Sequence, residues 1–380
     1  MAPKKRKTRV AFRKNRGKRG RVGQNLTDAY KNDEVDSLHS GERISGKGDL
    51  TRHRTIIQDD ETDSDDPVSA LVVDEQACRW GRVIYAVGAN QCLVEDDEQT
   101  RWTCSVRRRL RTLLSETRST VVAGDRVQFL PVSTEVSPPE GVIEKFAPRK
   151  GVLSRGSRRS QHVIVSNIEQ AVIVVAAVEP HFKPALIDRF LVSCEKGGVQ
   201  PIICINKIDL VHPIEFLRYQ GRMSQLGYPV FLTSAQTGEG MDQLRHQLLG
   251  RETVFSGQSG VGKSSLLNSI DENLKLRTQN VSHDSGKGTH TTRTAELIKL
   301  SNGGWVVDTP GIRQMQLWDV QTVEVEGFFI EFRPYVIDCR FPDCSHTHEE
   351  QCGIKHAVER GAIAIERYES YLRMLNDEED

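Results

Sequence analysis

From residue 82 onward, apolar and polar positions alternate over short runs separated by turn-forming residues. The runs are 82–87 (RVIYAV), 91–96 (QCLVED), 101–106 (RWTCSV), 125–130 (DRVQFL) and 141–146 (GVIEKF), all β-branched and aromatic in flavour. Gly81, Gly88, Gly124-Asp125 and Pro138-Pro139-Glu140-Gly141 punctuate them. Runs of this kind read as half-buried strands. Five within about 75 residues predict a small closed barrel, with the OB-fold as the natural candidate. An SH3-like barrel has the same periodicity and is not separated by it.

From about residue 151 to 318 the pattern becomes strand, loop, helix. Unbroken apolar runs occupy 171–178 (AVIVVAAV), 201–206 (PIICIN), 229–234 (PVFLTS), 252–257 (ETVFSG), 295–300 (AELIKL) and 304–308 (GWVVD). Between the first two, Leu186, Ile187, Phe190, Leu191 and Cys194 share one face of a helix predicted over 184–196. This alternation predicts a doubly wound α/β sheet. Beyond 319 the chain reads as a helix, a Cys/His knot and a second helix over 357–375. Residues 1–66 lack any such pattern; blocks of like charge and few aromatics predict disorder. The predicted organisation is a disordered extension (1–70), a β-barrel (71–150), an α/β domain (151–318) and a small helical domain around the knot (319–380).

Charge changes the picture only when it is mapped. The 380 residues hold 52 Lys+Arg and 52 Asp+Glu, a net charge of zero. By segment the charge is +11 (1–27), −9 (28–76), +3 (77–150), +4 (151–318) and −9 (319–380). The neutrality is a cancellation, so it excludes no nucleic-acid partner. The basic arm 1–27 and an acid-free window, 99–115, are the surfaces suited to phosphate. That window holds Arg101, Arg107, Arg108, Arg109 and Arg111. A solvated loop is the plain alternative for the arginines, and a nuclear import signal the weaker alternative for the arm. The longest unbroken apolar stretch, 171–178, is far short of the roughly 20 residues that span a bilayer. With no secretory h-region and no disulfide framework among the eight cysteines, the chain is expected to be soluble and cytoplasmic.

Gly257-Gln258-Ser259-Gly260-Val261-Gly262-Lys263-Ser264 fits G-x-x-x-x-G-K-[ST], between a predicted strand and a helix that opens at Ser264-Ser265. Backbone N–H groups of such a loop cradle phosphates, the lysine reaches the terminal phosphates and the serine hydroxyl holds Mg²⁺. Asn206-Lys207-Ile208-Asp209 ends another predicted strand. There the Asp209 carboxylate accepts two hydrogen bonds that guanine offers and adenine does not. Asn206 would brace the loop and bond the base, Lys207 would pack on the base, and the Ala235 amide of Ser234-Ala235 would meet the guanine carbonyl. Asp308-Thr309-Pro310-Gly311 follows a third strand and suits Mg²⁺ (Asp308) and a γ-phosphate contact (Gly311). Residues 286–293 (GKGTHTTR) suit a switch whose threonine completes the metal shell; Thr291 and Thr292, or even Thr289, fit equally. Ile312 cannot orient a water, so intrinsic hydrolysis is expected to be slow. His290 is the local candidate to supply that function, with a solvated loop histidine the alternative. The guanine motif precedes the P-loop, so the α/β domain is circularly permuted.

Cys339-x4-Cys344-x-His346-x5-Cys352 offers three thiolates and an imidazole, the complement of a closed structural zinc site. His348 and His356 are nearby substitutes.

Together the barrel, the permuted motifs and this knot resemble the RsgA/YjeQ (EngC) family over about residues 77–375. The resemblance implies a GTPase of late small-ribosomal-subunit maturation, stimulated by the subunit and contacting its rRNA. It also implies one structural zinc, Mg²⁺ with GTP, a role for the switch histidine (here His290) and a monomer. The long charged N-terminus and Thr289 depart from the family pattern.

Overall fold

The computed structural model describes residues 5–11 and 53–59 as backbone, and then 77–87, 90–107, 110, 121–157, 160–276, 295–308, 320 and 322–376. Within the extension expected to be disordered, strands β1 (Lys5–Ala11) and β2 (His53–Asp59) pair antiparallel, from Lys5 opposite Asp59 to Ala11 opposite His53. Thr8, Val10, Thr55, Ile56 and Ile57 supply the β-propensity that the like-charge blocks concealed. A two-stranded ribbon is marginal on its own.

The five barrel runs form β3 (Arg79–Val87), β4 (Gln91–Asp96), β5 (Arg101–Val106), β6 (Arg126–Ser133) and β7 (Glu140–Phe146). β3, β4 and β5 make an antiparallel meander; β5 runs parallel to β7, β7 pairs with β6, and β6 returns to β3. That closure, with one parallel pair, is OB-fold connectivity and removes the SH3-like alternative. Val83, Val94, Trp102, Cys104, Phe129 and Ile143 fill the interior. Gly81 is required there, since a Cβ would lie 2.5 Å from Val94 Cγ1.

A hairpin that the pattern did not predict, β8 (Leu153–Ser157) and β9 (Ser160–Val165), follows the barrel. At the junction, buried Asp125 accepts hydrogen bonds from the Val122 amide (3.0 Å), Arg149 Nε and Nη2 (2.7 and 2.8 Å) and Ser166 Oγ (2.6 Å).

The α/β unit comprises β10 (Gln170–Ala176), α1 (Pro184–Gly197), β11 (Gln200–Asn206), α2 (Ile214–Gln225), β12 (Val230–Leu232) and α3 (Met241–Gln247). Then come β13 (Glu252–Ser256), α4 (Lys263–Ile270), β14 (Glu296–Lys299) and β15 (Trp305–Asp308). The strand order is β12-β11-β10-β13-β15-β14, parallel except for the edge strand β14. β10 is buried along its whole length, as a central strand covered on both faces must be. Ile187, Phe190, Phe216 and Met223 of α1 and α2 cover one face. Leu244, Leu266 and Leu267 of α3 and α4 cover the other, so the sheet is doubly wound. Through Glu296 opposite Tyr85, β14 also joins β3, and barrel and α/β sheet form one eleven-stranded sheet among the described residues. No helix of the described residues is long and apolar enough to cross a membrane.

The C-terminal unit holds α5 (Val325–Phe328), α6 (Gly353–Glu359) and α7 (Ile365–Leu375). The single helix predicted over 357–375 is therefore two. Gly361 adopts φ +74° and the Ala362 and Ile363 amides both turn back to the Ala357 carbonyl, at 2.9 and 3.2 Å. Phe329, Phe332, Ile354 and Tyr371 pack together with Val192 of α1. Beside them Arg367 lies buried between Asp188 of α1 (Nη1 to Oδ1, 2.7 Å) and Glu331 (Nε to Oε1, 2.5 Å; Nη2 to Oε2, 3.1 Å). Burial works against the Arg367 charge, but the two carboxylates outweigh it and hold the guanidinium above its ordinary pKa. Removing one partner strands buried charge. Asp188→Ala is therefore expected to lower the unfolding free energy by about 3–5 kcal/mol in denaturant titration. A loss below about 1 kcal/mol would show that this clamp does not hold the C-terminal unit to α1.

Candidate functional site

The motifs singled out in the sequence converge at the carboxyl ends of the parallel strands, where open α/β sheets hold their ligands. Gly257 follows β13, Asn206 ends β11, Ser234-Ala235 follow β12 and Asp308 ends β15.

The P-loop glycines are needed for different reasons. Gly257, Gly260 and Gly262 take φ values of +145°, +83° and +94°. A Cβ on Gly257 would sit 2.0 Å from the Val174 carbonyl oxygen, and one on Gly262 would sit 2.4 Å from Asn206 Nδ2. Gln258, Ser259 and Gly260 form the outward part of the loop, and buried Val261 anchors it. Lys263 opens α4 and its ammonium donates to the Gly257 and Gln258 carbonyls at 2.7 and 2.6 Å. It lies across the loop with Ser264 and Ser265 half-buried behind it in the first helical turn.

Asn206 is 2 % exposed. Its Nδ2 donates to the Val261 carbonyl at 2.8 Å, and its Oδ1 accepts from the Ala235 amide at 3.3 Å. One carboxamide thus ties the P-loop to the loop after β12. The Ala235 amide, expected to face a base carbonyl, is spent on Asn206 instead. The Ser234 hydroxyl is buried and accepts from the Gln236 and Thr237 amides at 3.2 and 3.1 Å, holding that turn. Lys207 adopts φ +64° and donates to the Glu179 carbonyl. Ile208 is buried, its amide bonded to the Thr233 carbonyl at 3.1 Å, and this leaves the Asp209 carboxylate exposed. A carboxylate so placed can accept two N–H bonds from one planar edge.

Asp308 closes β15 opposite Glu296. His290, Thr289, Thr291, Thr292, Gly311 and Ile312 lie outside the described residues, as do Arg108, Arg109 and Arg111. Arg107, expected to be free for phosphate, forms an ion pair with the buried carboxylate of Glu144. The parallel register of β5 and β7 brings the Arg107 amide to the Ile143 carbonyl at 3.3 Å, which places its side chain beside Glu144. Arg101 pairs likewise with Glu95, at 3.3 Å.

In the C-terminal unit the ligand atoms of Cys339, Cys344, His346 and Cys352 all lie within 4.8 Å of one another. His346 takes φ +56° and turns Nδ1 toward the sulfurs, 3.5 Å from Cys339 and 3.3 Å from Cys352. Its buried Nε2 makes no hydrogen bond but lies 3.3 Å from Glu326 Oε2, the carboxylate-behind-histidine arrangement of metal sites. The amides of Gly353 and Lys355 point at Cys339 Sγ (3.3 Å) and Cys352 Sγ (3.5 Å). Burial pushes the Cys344 thiol up to about 12, a cost that a bound cation reverses. His348 and His356 are exposed and outside the cluster. The donor set therefore fits a metal ion held by Cys₃His. Glu326 carries no sequence signal; only packing brings it to His346.

Comparison with known proteins agrees with this arrangement. A family profile described as RsgA GTPase matches residues 146–318. "Small ribosomal subunit biogenesis GTPase RsgA" from Sodalis glossinidius is 41% identical over 289 residues, 74% of this chain and 81% of that relative. The protein of the same name from Thermotoga maritima is 38% identical over 297 residues, 77% of this chain and 95% of its own length. The crystal structure of YjeQ from Thermotoga maritima superposes with TM-score 0.64 at 35% identity, covering 79% of this chain and 98% of that one. YloQ, described as a circularly permuted GTPase, gives 0.62 at 30% identity, covering 81% and 97%. Likeness of this extent, over about three quarters of its length, makes the chain a member of the RsgA GTPase family.

Proposed function

We propose that the chain binds GTP with Mg²⁺ at the carboxyl edge of its permuted sheet. It hydrolyses the nucleotide to GDP in the service of small-ribosomal-subunit assembly, and the subunit and its rRNA stimulate turnover. The observation that carries this reading is Asn206. One buried carboxamide bonded to Val261 and Ala235 holds the guanine-reading loop in fixed register with the phosphate loop. A site built that way recognises the two ends of one ligand together. In it Asp209 reads the base edge, the Lys207 stem covers its face, and Ile208, Ser234 and Ala235 shape the base loop. Gly257 to Gly262 line the phosphates, with Lys263 paired to the β- and γ-phosphates and Ser265 behind them.

Ser264 and, through water, Asp308, with Thr291 or Thr292, would hold Mg²⁺, which would supply charge neutralisation at the phosphates. Gly311 faces the γ-phosphate. Zinc is the ion for the Cys₃His centre, in a structural role, because four protein donors leave no open position for substrate. The rRNA contact belongs to the basic arm and to Arg108, Arg109 and Arg111. Arg107 can join them only by giving up Glu144. The Glu144 carboxylate is buried, so giving up this pair for phosphate costs more than the about 0–1 kcal/mol of an exposed pair.

Turnover measured with small and large subunits added separately tests the reading. Small subunits are expected to raise the GTPase rate at least about tenfold, and large subunits to leave it unchanged. His290→Ala should keep nucleotide affinity and lower stimulated kcat by about a hundredfold or more. Indifference to small subunits would leave a nucleotide-binding module without this mechanism.

A further inference from the structure

Strand β3 belongs to two cores at once. Val83 and Ala86 face the barrel interior with Val94 and Ile143. Ile84 lies in the hydrophobic cluster of the α/β sheet with Val254 of β13, Leu297 of β14 and Val307 of β15, and Tyr85 packs against that cluster. Strand alternation turns Val83 and Ile84 toward different cores. An irregularity in the β3–β4 register between Val83 and Tyr85 interrupts that alternation, so Tyr85 joins Ile84 at the α/β cluster and Ala86 returns to the barrel. Few contacts normally cross between domains, so a shared strand is an unusually stiff joint.

Arg79 of β3 pairs within the barrel, with Asp96 and Glu98, whereas Arg82 and Tyr85 reach the elements that lead into the nucleotide site. Arg82 Nη2 is 2.5 Å from Glu252 Oε1, and Glu252 is the first residue of β13, the strand that ends at the P-loop. The Arg82 guanidinium also stacks 5.6 Å from the ring centroid of Trp305, the first residue of β15, which ends at Asp308. Lys299 of β14 approaches the same ring at 5.7 Å and Glu95 of the barrel at 4.0 Å. Tyr85 pairs with Glu296, the first residue of β14, and β14 follows the segment containing 286–293. One barrel strand thus touches the starts of all three strands whose neighbouring loops would hold phosphate and metal. Arg82 Nη1 is buried without a hydrogen-bond partner, so the contact has a spare donor for a second arrangement.

We infer that β3 transmits occupancy of the barrel to the nucleotide site, with Arg82 as the positioning residue that sets β13 and β15 against the barrel. A ligand held on the barrel tilts β3. Because β3 is packed into the sheet, a tilt shifts the starts of β13, β14 and β15 together rather than being absorbed by a linker. The inference rests on the proposed function, since it needs a ribosomal ligand on the barrel and GTP on the sheet. By linkage, nucleotide must also change the affinity for that ligand through the same strand.

The test uses the full chain with Arg82→Met, Glu252→Gln and the exchange variant Arg82→Glu/Glu252→Arg. Each is assayed for turnover without subunits, for stimulated turnover, and for affinity to purified small ribosomal subunits with GDP and with a non-hydrolysable GTP analogue. The single variants are expected to keep unstimulated kcat and KM and the GDP-state subunit affinity within about twofold, which also reports intact folding. They should lose at least about tenfold in stimulation, and the ratio of the two subunit affinities should fall toward one. The exchange variant should recover most of both. Parental stimulation in the single variants would overturn the inference and leave the proposed function standing. So would a loss that the exchange fails to recover, or one matched by weaker subunit binding. A parent protein that subunits neither bind nor stimulate would overturn the functional reading itself, and the inference with it.

Discussion

Lys263→Ala is expected to abolish guanine-nucleotide binding at micromolar protein while leaving the fold intact. In the free protein the Lys263 ammonium is held by the Gly257 and Gln258 carbonyls, across the mouth of the loop, and nothing else in the described P-loop offers a cation. Loss of a charge-assisted partner to phosphate in a partly desolvated site costs about 2–5 kcal/mol, roughly thirtyfold to several-thousandfold in affinity. The fold is spared because the loop takes its shape from other groups. Gly257 and Gly262 make the close approaches to Val174 and Asn206, and Asn206 holds the Val261 carbonyl. Titration with a fluorescent GTP analogue, beside a thermal melt, reads both halves of the expectation. Affinity within about threefold of the parent would show that the phosphates sit elsewhere.

Metal removal is the other large effect. Chelation under mild denaturing conditions, or Cys352→Ala, is expected to unfold the C-terminal unit, because a structural metal contributes on the order of 10 kcal/mol. The core around it is small, with Phe329, Phe332, Ile354 and Tyr371 at its centre. Cys352 also caps α6 through the Lys355 amide, so its loss removes a ligand and a helix start together. The damage should spread to the α/β unit, since Val192 of α1 lies in the same cluster and Asp188 would lose Arg367. Elemental analysis should find one zinc per chain. Near-ultraviolet dichroism of Tyr368 and Tyr371, with limited proteolysis beyond residue 320, should report the collapse. A metal-free protein with an unchanged melt would remove the structural role.

Much of the architecture was legible because its causes are local. Period-two alternation in 82–87 and 101–106 and unbroken apolar runs in 171–178 and 201–206 are properties of neighbouring residues, and each became a strand. The spacing of Gly257, Gly262 and Lys263 encodes a loop, and the close approaches of Gly257 and Gly262 explain why those glycines stand there. The Cys/His spacing worked in the same way, with His346 meeting the sulfurs and His348 left outside. The failures also have local reasons. A helical pattern ran through Gly361 because one glycine weakens a helix without forbidding it, and only the turn back to Ala357 ends it there. The hairpin 153–165 carries serine and arginine where strands usually carry apolar residues, so periodicity missed it.

The sequence by itself determined the barrel strands and the strands of the α/β sheet, their permuted order, the motifs read as phosphate and guanine binding, and the Cys₃His donor set. Each is written within a few consecutive residues, where backbone sterics and ligand geometry act. Tertiary structure alone decided what those elements touch. It spent the Ala235 amide on Asn206, took Arg107 into a pair with Glu144, and clamped Arg367 to Asp188 across 179 positions of chain. It also made β3 common to both cores. Contacts between distant residues leave no period or spacing to read, because they depend on how finished elements pack. The same zero net charge would accompany many other pairings of these side chains.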